Sequence, residues 1–143
     1  VLQLEGCEPR LINEGNTEKF AGLGRLVCTD AGDMAVSLYR SQAVEFPLSV
    51  TSFECHPLAS QAFIPMHSRP FPVVVAAAGD TPSPSGIRLF LTNGKQGINL
   101  APGTWHHYQL SLEQVSEYIV IDREDSSGNL LEFTLPEPVL LSI

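Results

Sequence analysis

A chain of 143 residues, 43% hydrophobic and 17% charged, has the length of one ordinary domain and the composition of a folded one, which excludes disorder. Its 16 acidic and 8 basic residues give a net charge of −8, and a nucleic-acid binder needs a basic face of which there is no sign. No apolar run nears the ~20 residues of a membrane-spanning helix, and no basic-then-apolar leader opens the chain. The three cysteines, Cys7, Cys28 and Cys55, are odd in number and fit neither a disulfide framework nor a zinc knuckle. Cytosol is therefore the expected compartment, and any anion must be bound locally by a few placed groups.

In chain order, short β-type runs alternate with Gly, Pro, Asn and Asp clusters. Residues 16–20 are a candidate turn of helix. Residues 25–29 and 34–40 flank Asp30-Ala31-Gly32-Asp33, which reads as a hairpin turn because Gly32 permits positive φ. Strands follow at 46–56, 61–66 and 72–78, then a proline-studded surface loop over 79–86. The series resumes at 87–92, turns at Asn93-Gly94, and continues through 97–100, 105–112 and 117–121. Residues 111–115 are a second candidate helical turn. A turn over 124–129 leads to strands at 130–135 and 139–143. This density of short strands predicts an all-β sandwich or barrel in one domain, residues 1–143.

Side chains two apart on a strand share a face, so Glu54 and His56 point the same way. Gln61 begins the next strand. The Pro102-Gly103 turn leads into Trp105-His106-His107, which presents His106 to one face and His107 to the other. Glu54, His56, Gln61 and one of these histidines can then converge inside the barrel. Such mixed N and O donors suit a divalent first-row metal, nickel, manganese or zinc, without selecting one.

The arrangement Glu54-Cys55-His56, four residues and Gln61, followed by Gly103-Thr104-Trp105-His106, is similar to the two cupin motifs, with Glu and Gln at positions usually held by His and Glu. Longer blocks resemble those of the ureidoglycolate lyase (ureidoglycolate hydrolase) family. They are the run from His56 to Met66, the run from Thr92 to Asn99, Trp105-His106-His107, and Val120-Ile121-Asp122-Arg123. Ile12-Asn13-Glu14-Gly15 and Val36-Ser37-Leu38-Tyr39-Arg40 fit the same pattern upstream. The blocks stand in family order from about Leu11 onward. The resemblance implies a cupin-like double-stranded β-helix (a jelly-roll barrel), usually a homodimer, that cleaves (S)-ureidoglycolate to glyoxylate and urea in allantoin breakdown. It also implies nickel in some members. Two departures stand out: the family's N-terminal strand has no counterpart ahead of Val1-Leu2, and Leu100-Ala101 replaces a common Tyr-His pair.

Ureidoglycolate bears a hydroxyl, a carboxylate and a urea nitrogen on one carbon. Its cleavage needs a base, an acid and a grip on the carboxylate. Glu54, His56 and His106 are the candidate catalytic residues, and with Gln61 the candidate metal ligands. Arg40, Arg88 or Arg123 can grip the carboxylate, since a guanidinium fork fits its two oxygens. Gln61, Asn93, Gln96 and Asn99 offer amides for the ureido group, and Trp105 is a candidate lining residue. Each has a structural competitor: packing for Trp105 and His107, a turn for Asn93, surface ion pairs for the arginines, and solvation for His67 and Lys95. The alternative functions are an amidohydrolase releasing ammonia from the same substrate and a non-catalytic cupin that binds a small acid. A dioxygenase or sugar isomerase is disfavoured by Glu54 and Gln61 at ligand positions.

Overall fold

The structure is a computed structural model that describes residues 1–125 and 127–143. A small hairpin, β1 (Arg10–Ile12) with β2 (Thr17–Lys19), precedes two antiparallel sheets. The first contains β3 (Met34–Ser41), β5 (Gln61–Pro65), β8 (Ile98–Leu100) and β10 (Ser116–Arg123), in the order β3-β10-β5-β8. The second contains β4 (Leu48–Cys55), β6 (Pro72–Ala76), β7 (Arg88–Leu91), β9 (Trp105–His106) and β11 (Leu131–Leu141), in the order β11-β4-β9-β6-β7. Apart from the β6–β7 pair, successive strands alternate between the two sheets, in keeping with the jelly-roll expectation. Among the described residues no helix is long and apolar enough to cross a membrane.

Period-two burial decides which face of each strand is filled. On β10, Ser116, Tyr118 and Val120 are buried, and with Phe63, Phe71 and Ile98 the last two form one core cluster. A second cluster, built from Val50, Phe53, Cys55, Val74, Ala76, Trp105 and Leu135, involves mainly the five-stranded sheet. Directly paired residues share a face of a sheet. The pairings Glu54↔Glu132, Glu54↔His106, His106↔Val75 and Val75↔Arg88 therefore place five residues in one row across the second sheet. Trp105↔Ala76 belongs to the opposite face. The polar row thus shares a sheet with an apolar core without entering it.

Several local expectations change. Residues 25–29 do not make a hairpin with β3; they run beside 58–60, where Thr29 N–H donates to Leu58 O at 2.8 Å and Ser60 N–H to Val27 O at 2.8 Å. The turn of helix expected at 16–20 is the strand β2, entered through Asn13 and Glu14 at positive φ. Only Trp105–His106 of the 105–112 run is strand, because the chain then turns so that Val44 N–H meets Ser111 O at 3.0 Å. No helical turn forms at 111–115. The two C-terminal runs are one strand, β11, whose register shifts between Thr134 and Val139. Pro136 and Pro138 lie in that interval and lack the N–H a ladder needs. The Asn93-Gly94 turn forms as expected. Gly94 has φ +79°, and a Cβ there would collide with the Ser68 carbonyl oxygen. The turn expected over 124–129 includes Ser126, which lies outside the described residues.

Candidate active site and metal centre

Glu54 near the end of β4, His56 just beyond it and His106 on β9 meet because Glu54 pairs directly with His106 across the ladder. His106 Nε2 lies 3.2 Å from Glu54 Oε1, and His56 Nε2 lies 4.0 Å from the same oxygen. The two imidazole centroids are 5.3 Å apart.

Both rings are held from behind. His56 Nδ1 lies 2.8 Å from the carbonyl of Asn129, and His106 Nδ1 lies 3.0 Å from the carbonyl of Thr104. A carbonyl only accepts, so each Nδ1 carries a proton and each neutral ring keeps its lone pair on Nε2. Neither Nε2 has an aligned hydrogen-bond partner, although both are buried. The His106 Nε2 lone pair and the Glu54 carboxylate therefore face each other across 3.2 Å, a gap that a proton or a cation would bridge. Ligand atoms of all three residues lie within 4.8 Å of one another. Metal–nitrogen bonds of about 2.0–2.1 Å place neighbouring donors roughly 3–4 Å apart, and both separations from Glu54 fall in that range. Two neutral imidazoles backed by carbonyls and one carboxylate are a donor set that can hold a divalent ion.

The pocket beside this cluster has a volume of about 490 Å³, and its wall includes Glu54, His56, Gln61, Tyr39, Asp122 and Arg123. The His106 ring lowers the Glu54 carboxyl below its usual range, first through the contact just described and then, with His56, through charge; burial opposes this. Tyr39 is pushed up to about 12, by burial first and then by the negative charges of Asp122 and Glu54, so its hydroxyl stays protonated. Asp122 links two neighbours. Its Oδ2 accepts from Gln61 Nε2 at 3.1 Å and from the Tyr39 hydroxyl at 3.4 Å.

The other expected residues are spread more widely. Arg123 lines the pocket, with NH1 on Asp30 at 2.6 Å, NH2 3.5 Å from Asp125, and Nε unpartnered. Arg40 is exposed and tied to Glu117 at 2.6 Å. Arg88 shares the Glu54 row but stands three strands away, roughly 14 Å at ordinary strand spacing, and donates to Ser85 O and Ile87 O. Asn93 completes its turn by accepting from Lys95 N–H at 2.9 Å. Gln96 and Asn99 line a different cavity, with Leu2, Leu4 and Phe20. Trp105 is core: 2% exposed, edge-on to Phe133, its indole N–H donating to Gly79 O at 2.9 Å. His107 is buried, with Nδ1 on Ser52 O at 2.7 Å, and burial lowers its pKa. His67 is not simply solvated; its ring packs edge-on to Tyr118 at 5.2 Å.

Tyr39, Asp122 and Asn129 were not singled out from the sequence. Asp122 did carry a signal, since it continues the inward alternation of Tyr118 and Val120 and so puts a carboxylate on a buried face.

Known proteins resemble this chain over nearly its whole length. A family model described as ureidoglycolate lyase matches residues 1–142. The chain is similar to a ureidoglycolate lyase of Pseudomonas entomophila, 40% identical over 142 residues, which are 99% of this chain and 85% of that protein. It is also similar to one of Burkholderia mallei, 44% identical over 143 residues, 99% of this chain and 84% of that protein. A third, from Brucella anthropi, is 42% identical over 134 residues, 93% and 79% of the two chains.

Proposed function

Because the chain belongs to the ureidoglycolate lyase family, we propose that it cleaves ureidoglycolate to glyoxylate and urea, a step of purine breakdown, in the pocket beside Glu54, His56 and His106. The observation that carries this reading is the convergence of two unpartnered Nε2 atoms on one carboxylate, at a pocket sized for a small molecule, in a chain matched from end to end.

The reaction moves one proton from the hydroxyl oxygen to the ureido nitrogen. The C–N bond breaks, its electron pair stays on nitrogen, and the hydroxyl carbon becomes the aldehyde of glyoxylate. Neither water nor an oxidant is consumed. Glu54 and Asp122 make the pocket negative, and Arg123 is already engaged by two carboxylates. An anionic substrate is unfavourable there unless a cation offsets that charge. Glu54, His56 and His106 would hold a divalent ion, which would supply that charge and Lewis acidity toward the substrate oxygens. Nickel is the ion suggested by family resemblance, while the donor set also suits manganese or zinc.

The protein's own groups do the rest. Glu54 remains ionised, and its second oxygen accepts the hydroxyl proton. Tyr39 keeps its hydroxyl proton to high pH and gives it to the departing nitrogen, then regains the one Glu54 took. Arg123 would meet the substrate carboxylate only through Nε, the donor that its contacts with Asp30 and Asp125 leave without a partner. With nickel supplied, purified protein is expected to release urea and glyoxylate in equal amounts in a urease-free assay. Ammonia without urea would mean an amidohydrolase. Activity unaffected by a strong chelator would remove the metal from this scheme.

The apolar rows Val36–Ile121 and Leu38–Ile119–Ile64 continue across one face of the first sheet, where Val36 is 72% and Leu38 57% exposed. A second copy of the chain covers this face in the homodimer we propose. A monomer mass by light scattering at micromolar concentration would exclude it. Free Cys7, Cys28 and Cys55 fit a reducing compartment, hence the cytosol.

A further inference from the structure

Asp122 and Gln61 form an arrangement that the reaction scheme above leaves unused. Gln61 opens β5, is 3% exposed and lines the pocket. Its Nε2 donates to Asp122 Oδ2 at 3.1 Å. An ionised carboxylate has only acceptors, so it fixes the direction of the amide: the amino end turns to Asp122 and the carbonyl end turns away from it. That carbonyl oxygen, Oε1, is buried without a partner. Buried acceptors are nearly always satisfied, and one left open in a pocket wall marks a place for a ligand donor.

Of the groups on ureidoglycolate, the carboxylate has only acceptors and would repel Oε1, and the hydroxyl gives its proton to Glu54 in the scheme above. The ureido group ends in N–H donors and matches it. Resting on the reaction proposed above, we infer that Gln61 Oε1 is the ureido-recognition point of this site and that Asp122 is a positioning residue, which selects ureido over acyl substrates by holding the Gln61 amide in one orientation. The Tyr39 hydroxyl, donating to the same Oδ2, helps hold Asp122 in place. Because Asp122 acts through Gln61, its removal affects which substrate is accepted more than whether the reacting centre assembles.

The test compares kcat/KM for ureidoglycolate with that for the N-acetyl analogue, in which a methyl group replaces the terminal amino group, following glyoxylate release. Wild-type protein is expected to prefer the ureido substrate by about 10²-fold or more, since a site built around a hydrogen bond rejects a partner lacking it. Asp122→Asn frees the Gln61 amide to turn either way. It is expected to cut that preference at least tenfold, through a higher KM for ureidoglycolate, with the analogue changed less than about threefold. Gln61→Met removes the acceptor at similar length and is expected to do the same if Asp122→Asn folds poorly. Pairing Asp122→Asn with Gln61→Glu places the donor at position 122 and an acceptor at 61, and is expected to recover most of the preference.

Nickel affinity by titration calorimetry is expected to stay within threefold in Asp122→Asn. An unchanged preference in both single variants overturns the inference, and so does an unchanged preference with lost nickel binding, which assigns Gln61 to the metal. Wild-type protein that releases no glyoxylate from ureidoglycolate overturns the functional reading first, and this inference with it.

Discussion

Glu54→Gln is expected to lower kcat/KM for ureidoglycolate by about 10³-fold while leaving the melting temperature within a few degrees of wild type. The amide matches the carboxylate in size but lacks its charge. Both imidazoles approach Glu54 Oε1, so the variant keeps the shape of the cluster and loses the anion that a divalent ion and a migrating proton both need. The small effect on stability follows from exposure. The Glu54 side chain is 34% accessible, so solvent screens its attraction to the histidines, and ion pairs of this kind contribute little to folding. Bound nickel, measured on the same samples, separates the two losses: a variant that binds nickel normally but turns over slowly has lost proton transfer alone. Activity within tenfold of wild type would remove Glu54 from the chemistry.

Asn129→Ala tests what positions His56. Asn129 is 3% exposed, and its side-chain oxygen accepts from Leu58 N–H at 2.9 Å and Ala59 N–H at 3.1 Å. Its main-chain carbonyl meets His56 Nδ1. One residue therefore ties the segment after β4 to the turn before β11 and sets the His56 tautomer. Truncation leaves two N–H groups without their acceptor, at about 1–3 kcal/mol each, so a loss of about 2–4 kcal/mol is expected in urea unfolding after some relaxation. The main-chain carbonyl that backs His56 survives the truncation, so nickel affinity is expected to fall by less than about 10-fold, through displacement of the turn that carries that carbonyl. Asn129→Asp keeps both acceptor roles and should retain most of the stability. An unfolding midpoint unmoved by Asn129→Ala would show that the two N–H groups find other partners.

Local pattern made much of the β framework readable. Period-two alternation is plain on β10, where Ser116, Tyr118 and Val120 are buried and the residues between them less so, whereas β5 is buried on both faces over Gln61–Phe63 and reads as a short run between turn residues. Where neighbouring chain supplied the partners, it misled. Residues 25–29 look like a strand but pair only through isolated contacts with 58–60, and the three-residue strands β1 and β2 leave too short a pattern to detect. The run 105–112 is half polar and has no β-branched residue, and only its first two residues find a ladder.

By itself the sequence determined that this is a β-rich, acidic chain, and that Glu54 and His56 share a face, since a strand's side-chain period is a local property. Resemblance chose His106 over His107 and pointed to the family. Tertiary structure alone decided the rest. The register Glu54↔His106 brings residues far apart in the chain into contact, and Asn129 reaches back to His56 across a similar gap. It also ranked the arginines: period two can put Arg88 on the face of Glu54, but only strand order reveals the two strands between them, whereas Arg123 lies at the pocket wall. Such pairings depend on which strands become neighbours, a long-range outcome of packing both sheets around one core, and no local pattern encodes it.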